Sequence, residues 1–71
     1  MQVTAELVQA RTSQSVELSA SATGFDLLRQ LGLAPDAHLL VRGETPIPLD
    51  EPLIDSERLR ILSVVSGGRD P

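Results

Sequence analysis

Only one stretch of this chain repeats its apolar residues at helical spacing: Phe25, Leu28 and Leu31, with Leu27 beside them. Thr23 precedes it as an N-cap, its hydroxyl placed to accept from first-turn amides, and Asp26 brings a carboxylate to the positive end of the helix dipole. Gly32 supplies a left-handed stop and Pro35 lies beyond it, so the spacing predicts one helix of about ten residues with one apolar stripe. A single short helix cannot bury its stripe against itself. The rest of the chain must therefore provide a sheet for it to cover.

The flanking segments have the strand period. Val3, Ala5 and Leu7 alternate with Gln2, Thr4 and Glu6, and after the polar break Arg11-Thr12-Ser13-Gln14 the alternation resumes with Val16 and Leu18. That pattern predicts a hairpin with one buried face. His38 to Arg42 is a short apolar strand closed by the turn pair Gly43-Glu44. In Thr45-Pro46-Ile47-Pro48 the two prolines lack the amide a central ladder needs, which places this piece at an edge or in an extended loop. Leu49 to Glu57 is acidic and turn-rich, with Leu53 and Ile54 expected to anchor a one-turn helix. Leu59, Ile61 and Ser63 alternate with Arg60, Leu62 and Val64 in the last and longest strand, expected to run to about Val65. In order the elements read ββαβ, a weak edge strand, then β. The fold class is α+β, a mixed four- to five-stranded sheet covered by one helix, with a domain over residues 1–65 and a mobile tail over 66–71.

Composition removes several functions. The 71 residues fit one domain and contain no cysteine, which excludes disulfides, thiolate metal sites and cysteine nucleophiles. The formal charge is -4, there is no lysine, the arginines are scattered and Phe25 is the only aromatic residue, so no nucleic-acid partner is expected. The N-terminus has no basic or apolar leader and no apolar run approaches membrane-spanning length, from which a cytoplasmic monomer without membrane contact is expected. His38, the sole histidine, has no neighbour at metal spacing and fits a surface or capping role. Asp50, Glu51, Asp55 and Glu57 lack the spacing of a calcium loop and are expected to form a solvated acidic loop, able to steer a basic partner. No nucleophile-base pair, metal set or phosphate loop is present, so the chain is not expected to be an enzyme.

The end of the chain, Glu57-Arg58-Leu59-Arg60-Ile61-Leu62-Ser63-Val64-Val65-Ser66-Gly67-Gly68, resembles the last strand and tail of ubiquitin-like proteins. The likeness is to the archaeal small modifier proteins and to the sulfur carriers of thiamine and molybdopterin synthesis, in which Val65-Ser66-Gly67-Gly68 is a typical ending. Leu40-Val41-Arg42-Gly43-Glu44-Thr45-Pro46-Ile47-Pro48 resembles the strand, turn and proline-flanked segment of the small modifiers and of the ubiquitin-related modifier that carries sulfur. The resemblance covers residues 1–68 and implies the ubiquitin-like β-grasp, with the last strand in the middle beside the first.

It also implies the chemistry. In such proteins the terminal glycine carboxylate is adenylated with ATP by a ubiquitin-activating-type enzyme, and a sulfur nucleophile then opens the acyl-adenylate. The acyl group passes to lysines of target proteins, or becomes a thiocarboxylate that serves a sulfur-accepting enzyme. The chain itself binds no cofactor, since the ATP belongs to the partner. Gly67 and Gly68 suit a tail that must thread a narrow channel, because a side chain there would crowd it and restrict φ. Arg69-Asp70-Pro71 departs from the mature pattern: with Gly68 amide-linked to Arg69 there is no free carboxylate, and a processing protease, metallo or cysteine, must cut between Gly68 and Arg69 first. Without lysine, chains linked through its own side chains cannot form, and attachment as single units is expected.

If Leu59 and Ile61 face the core, Arg60, Leu62 and Val64 face out. Leu40 and Leu62 match in offset the strand positions of ubiquitin's recognition surface, so Leu40, Leu62, Val64 and Arg60 are the expected partner-binding residues. The alternative function, of a different class, is an interaction module that binds through this surface with no covalent chemistry.

Overall fold

A computed structural model describes residues 1–64. Five strands, β1 (Gln2–Leu7), β2 (Thr12–Glu17), β3 (His38–Arg42), β4 (Thr45–Ile47) and β5 (Arg58–Ser63), form one sheet in the order β2-β1-β5-β3-β4. Helix α1 (Gly24–Leu31) covers one face, and a 3-10 turn, Pro35–Ala37, leads into β3. The β1–β5 pair is parallel and the other three pairs are antiparallel. This is the β-grasp, with the last strand held between the first and the third. As expected from its prolines, β4 is an edge.

Inward positions of the strands and the helix stripe meet in one core of Val3, Ala5, Val16, Leu27, Leu28, Leu40, Ile47, Leu53, Leu59 and Ile61. Each fully buried Leu, Ile or Val there contributes about 1.5–3 kcal/mol relative to exposure, which is how so short a chain holds without a disulfide. Asp26 accepts the Thr23 amide at 2.9 Å, the carboxylate arm of a capping box. At the other end Gly32 is left-handed at φ 74, with Gly32 N–H donating to the Arg29 carbonyl at 3.1 Å and Leu33 N–H to Leu28 at 2.8 Å. These two bonds make a Schellman stop, and Leu33 packs against the core, the apolar contact that often accompanies the motif.

Several details differ from expectation. The buried helix positions are Gly24, Leu27 and Leu28, whereas Phe25 is 44% exposed. Counted from Gly24 the stripe is i, i+3, i+4, i+7, ending at Leu31, and Phe25 stands a full residue step of rotation outside it. Strand β2 begins at Thr12, inside the stretch expected to be a polar break, because an edge strand needs only backbone partners; Thr12 to Ser15 are exposed and Val16 alone is buried. No one-turn helix forms in Leu49 to Glu57. Leu53 is buried at 6% exposure, but Ile54 is 56% exposed and anchors nothing. Strand β5 ends at Ser63, short of the expected Val65; Val65 itself and the expected tail lie outside the described residues. Among the described residues no helix is long and apolar enough to cross a membrane, and no group of His, Cys, Asp or Glu is placed to hold a metal ion.

Candidate functional site

The site is the end of β5 and the sheet face opposite the helix. On β5, Leu59 and Ile61 are 0% and 2% exposed, while Arg58 and Arg60 are exposed, Leu62 is half-buried and Val64 is 49% exposed. Arg60, Leu62 and Val64 therefore share the outer face, as expected.

Leu40 does not join them. In the β3–β5 pair Leu40 stands opposite Ile61, and residues directly opposite share a face, so Leu40 lies in the core at 0% exposure. The neighbour of Leu62 on the outer face is Leu39, its partner in register and half-buried. His38 to Arg42 is apolar on both faces, so its alternation could not choose between Leu39 and Leu40; a one-residue slip exchanges them. Next along the outer face Val41 stands opposite Arg60. The Arg60 guanidinium donates to the Gly43 carbonyl at 2.7 Å, which brings its stem alongside Val41, and Val41 is only 7% exposed although it faces away from the core. Arg58 pairs with Glu6 at 3.7 Å, an exposed contact worth little in water.

The start of β5 is fixed by a cluster that sequence reasoning missed. Arg42 Nε donates to Glu57 Oε1 at 2.8 Å and Nη2 to Oε2 at 3.1 Å, a forked pair. The same guanidinium reaches Glu51 Oε2 at 3.3 Å and the Pro52 carbonyl at 3.1 Å. Glu57 also accepts the Ile54 amide at 2.7 Å, and Asp55 accepts the Gln2 amide at 2.9 Å. The segment expected to be a solvated acidic loop is thus partly a set of acceptors that tie it to β3 and β1. Burial pushes the Glu57 carboxyl up, but the hydrogen bonds from Arg42 and Ile54 and the Arg42 charge outweigh it and hold the group below the ordinary carboxylate value. The Glu57 hydrogen bond in turn raises Arg42. An arginine closing an apolar strand, with carboxylates nine and fifteen residues later, was the available signal.

At the far end of β5 the chain is held on both edges. His38 pairs with Ser63 on the β3 side, and Val64 N–H donates to the Ala37 carbonyl at 2.8 Å. The His38 ring contacts the Ala34 carbonyl at 2.8 Å through Nδ1, the capping role expected of it. On the β1 side the Gln9 side chain bonds both main-chain groups of Ser63. Gly67, Gly68 and Arg69, the expected conjugation and processing residues, lie outside the described residues.

Comparison with known proteins finds relatives by family, by sequence and by fold. Residues 1–65 match the family model of small archaeal modifier protein 2. The sulfur carrier protein TtuB of Thermus thermophilus is 33% identical over 55 residues, which span 78% of this chain and 85% of that protein. The crystal structure of SAMP1 from Haloferax volcanii superposes with a TM-score of 0.71, covering 96% of this chain and 100% of that one; at 20% identity the likeness is one of fold.

Proposed function

Since the chain belongs to the small archaeal modifier protein 2 family of ubiquitin-like β-grasp proteins, we propose that it acts through the carboxylate of Gly68, adenylated after Arg69-Asp70-Pro71 is removed. As a member of a modifier and sulfur-carrier family it is the group carried, and the catalytic groups belong to its partners. The carrying observation is the Gly67-Gly68 pair standing just beyond the central strand of a β-grasp.

The steps follow from carboxylate chemistry. Hydrolysis of the Gly68–Arg69 amide frees the carboxylate. One of its oxygens attacks the α-phosphate of ATP on the activating enzyme and pyrophosphate leaves. A sulfur nucleophile then attacks the carbonyl carbon and AMP departs, so one difficult acyl transfer becomes two feasible ones. Where that nucleophile is a thiol, a target lysine amine then displaces it and leaves an isopeptide bond; where it is hydrosulfide, the acyl product is already the thiocarboxylate. The relative named a sulfur carrier favours the second outcome and the matched modifier family the first.

Mass spectrometry of the protein from its host is the test. The expected result is a form ending at Gly68, accompanied by the tryptic remnant Ile61–Gly68 on target lysines, since Arg60 is the last basic residue before the diglycine, or by a Gly68 thiocarboxylate. Only full-length protein, with a partner that still binds after deletion of residues 67–71, would instead establish the non-covalent interaction module.

A further inference from the structure

We propose that Gln9 is a positioning residue that sets the direction in which the chain leaves the sheet toward Gly68. The proposal rests on the activation chemistry above.

Strand β1 ends at Leu7, opposite Ile61, and the last bond of the parallel ladder runs from Val8 N–H to the Ile61 carbonyl at 3.2 Å. The chain then turns away into β2, through Arg11 in the left-handed region at φ 55. On that side β5 continues with no strand beside it, and Ser63 would present its amide and carbonyl to water. The Gln9 carboxamide takes the missing place. Ser63 N–H donates to Gln9 Oε1 at 3.0 Å, and Gln9 Nε2 donates to the Ser63 carbonyl at 3.3 Å. A side-chain amide carries the same donor and acceptor as a peptide unit, so it extends the ladder by one rung without extending the strand.

Packing encloses Ser63 only in part, for it is half-buried. A cavity of about 170 Å³ opens beside it, lined by Leu7, Gln9, Ala10, His38 and Ile61 as well as Ser63. The exit is fixed by hydrogen bonds: Gln9 to Ser63 on one edge, Val64 N–H to the Ala37 carbonyl on the other. A tail that must enter another protein's channel loses less freedom on docking if its root already points one way, and that gain is in binding.

The test compares Gln9→Ala with wild type and with Gln14→Ala, an exposed glutamine on β2. In the full chain, hydrogen exchange at the Ser63 amide is expected to quicken about fivefold in Gln9→Ala alone, the melting temperature being unchanged because the bonds are exposed. In chains ending at Gly68, which keep every described residue, the activating enzyme is assayed by ATP–pyrophosphate exchange. Gln9→Ala should raise KM for the carrier about three- to tenfold with kcat unchanged, whereas a merely destabilised carrier would lower the apparent maximal rate. Equal KM for Gln9→Ala and wild type, or unchanged Ser63 exchange, overturns the positioning role. Wild type that is not adenylated at all overturns the activation chemistry beneath it, a separate and distinguishable failure.

Discussion

Leu40 of β3 faces Ile61 of β5 directly across the pair, and both side chains are sealed in the core, 0% and 2% exposed. Their outer-face counterparts one residue along are Leu39 and Leu62. Leu40→Ala should therefore cost about 2–5 kcal/mol of stability, as buried leucine truncations do. Leu62→Ala should cost well under half as much and instead weaken partner binding. Urea titration beside a pull-down with the activating enzyme separates the two; equal losses of stability would contradict the register.

The Arg42–Glu57 fork makes stability depend on acid. A carboxyl held below its unfolded value stabilises the fold fully above the unfolded value, and that contribution disappears as pH falls through the folded one. Glu57→Gln should lose about 1–3 kcal/mol near neutrality, where it replaces the forked carboxylate by a neutral amide and leaves the partly buried guanidinium with Glu51 and the Pro52 carbonyl. Its stability should then fall less than that of wild type between neutral and acid pH. Chemical denaturation at a series of pH values measures the difference.

Gly24 and Gly32 should both resist substitution, for different reasons. A Cβ at Gly24 would run into Leu40 Cδ1 and come within 2.9 Å of the Leu49 carbonyl oxygen, the atom that accepts the Phe25 amide. Gly24→Ala should destabilise by about 1–3 kcal/mol, although in an ordinary helix it would stabilise. At Gly32 there is open space but a left-handed backbone, so Gly32→Ala should cost only about 1 kcal/mol. In a domain of this size each kcal/mol lowers the melting temperature by about 4–8 °C, which calorimetry resolves.

Gly68→Val, in a chain ending at that residue, keeps the carboxylate and adds a β-branched side chain. Adenylation should fall at least about tenfold from lost alignment, while the melting temperature stays at the wild-type value. Pyrophosphate exchange is the assay. Full activity in this variant would show that the channel does not select glycine.

Much of this was legible in the chain because the signals are local. Thr23, Asp26 and Gly32 bound the helix through groups only a few residues apart. Val3, Ala5, Leu59 and Ile61 declare their face by a period of two. Phe25, beside Leu27 and Leu28, completes a plausible stripe in the sequence; the close approach of Gly24 to Leu40 of β3, with Leu27 and Leu28 buried, shows which arc of the helix meets the sheet. The Arg42 cluster was illegible, since carboxylates in an acidic turn carry no mark of which strand they will meet.

The amino-acid order alone determined the five strands and the helix as elements, the two ends of that helix, and the position of two glycines beyond the last strand, because caps, turns and periodicity act over a few residues. Tertiary structure decided what depends on strands meeting: that Leu39 and not Leu40 lies beside Leu62, that Arg42 gathers Glu51 and Glu57, and that Gln9 reaches Ser63. Register between β3 and β5 is chosen by the whole core at once, and shifting it by one residue would turn every side chain of β3 to the opposite face.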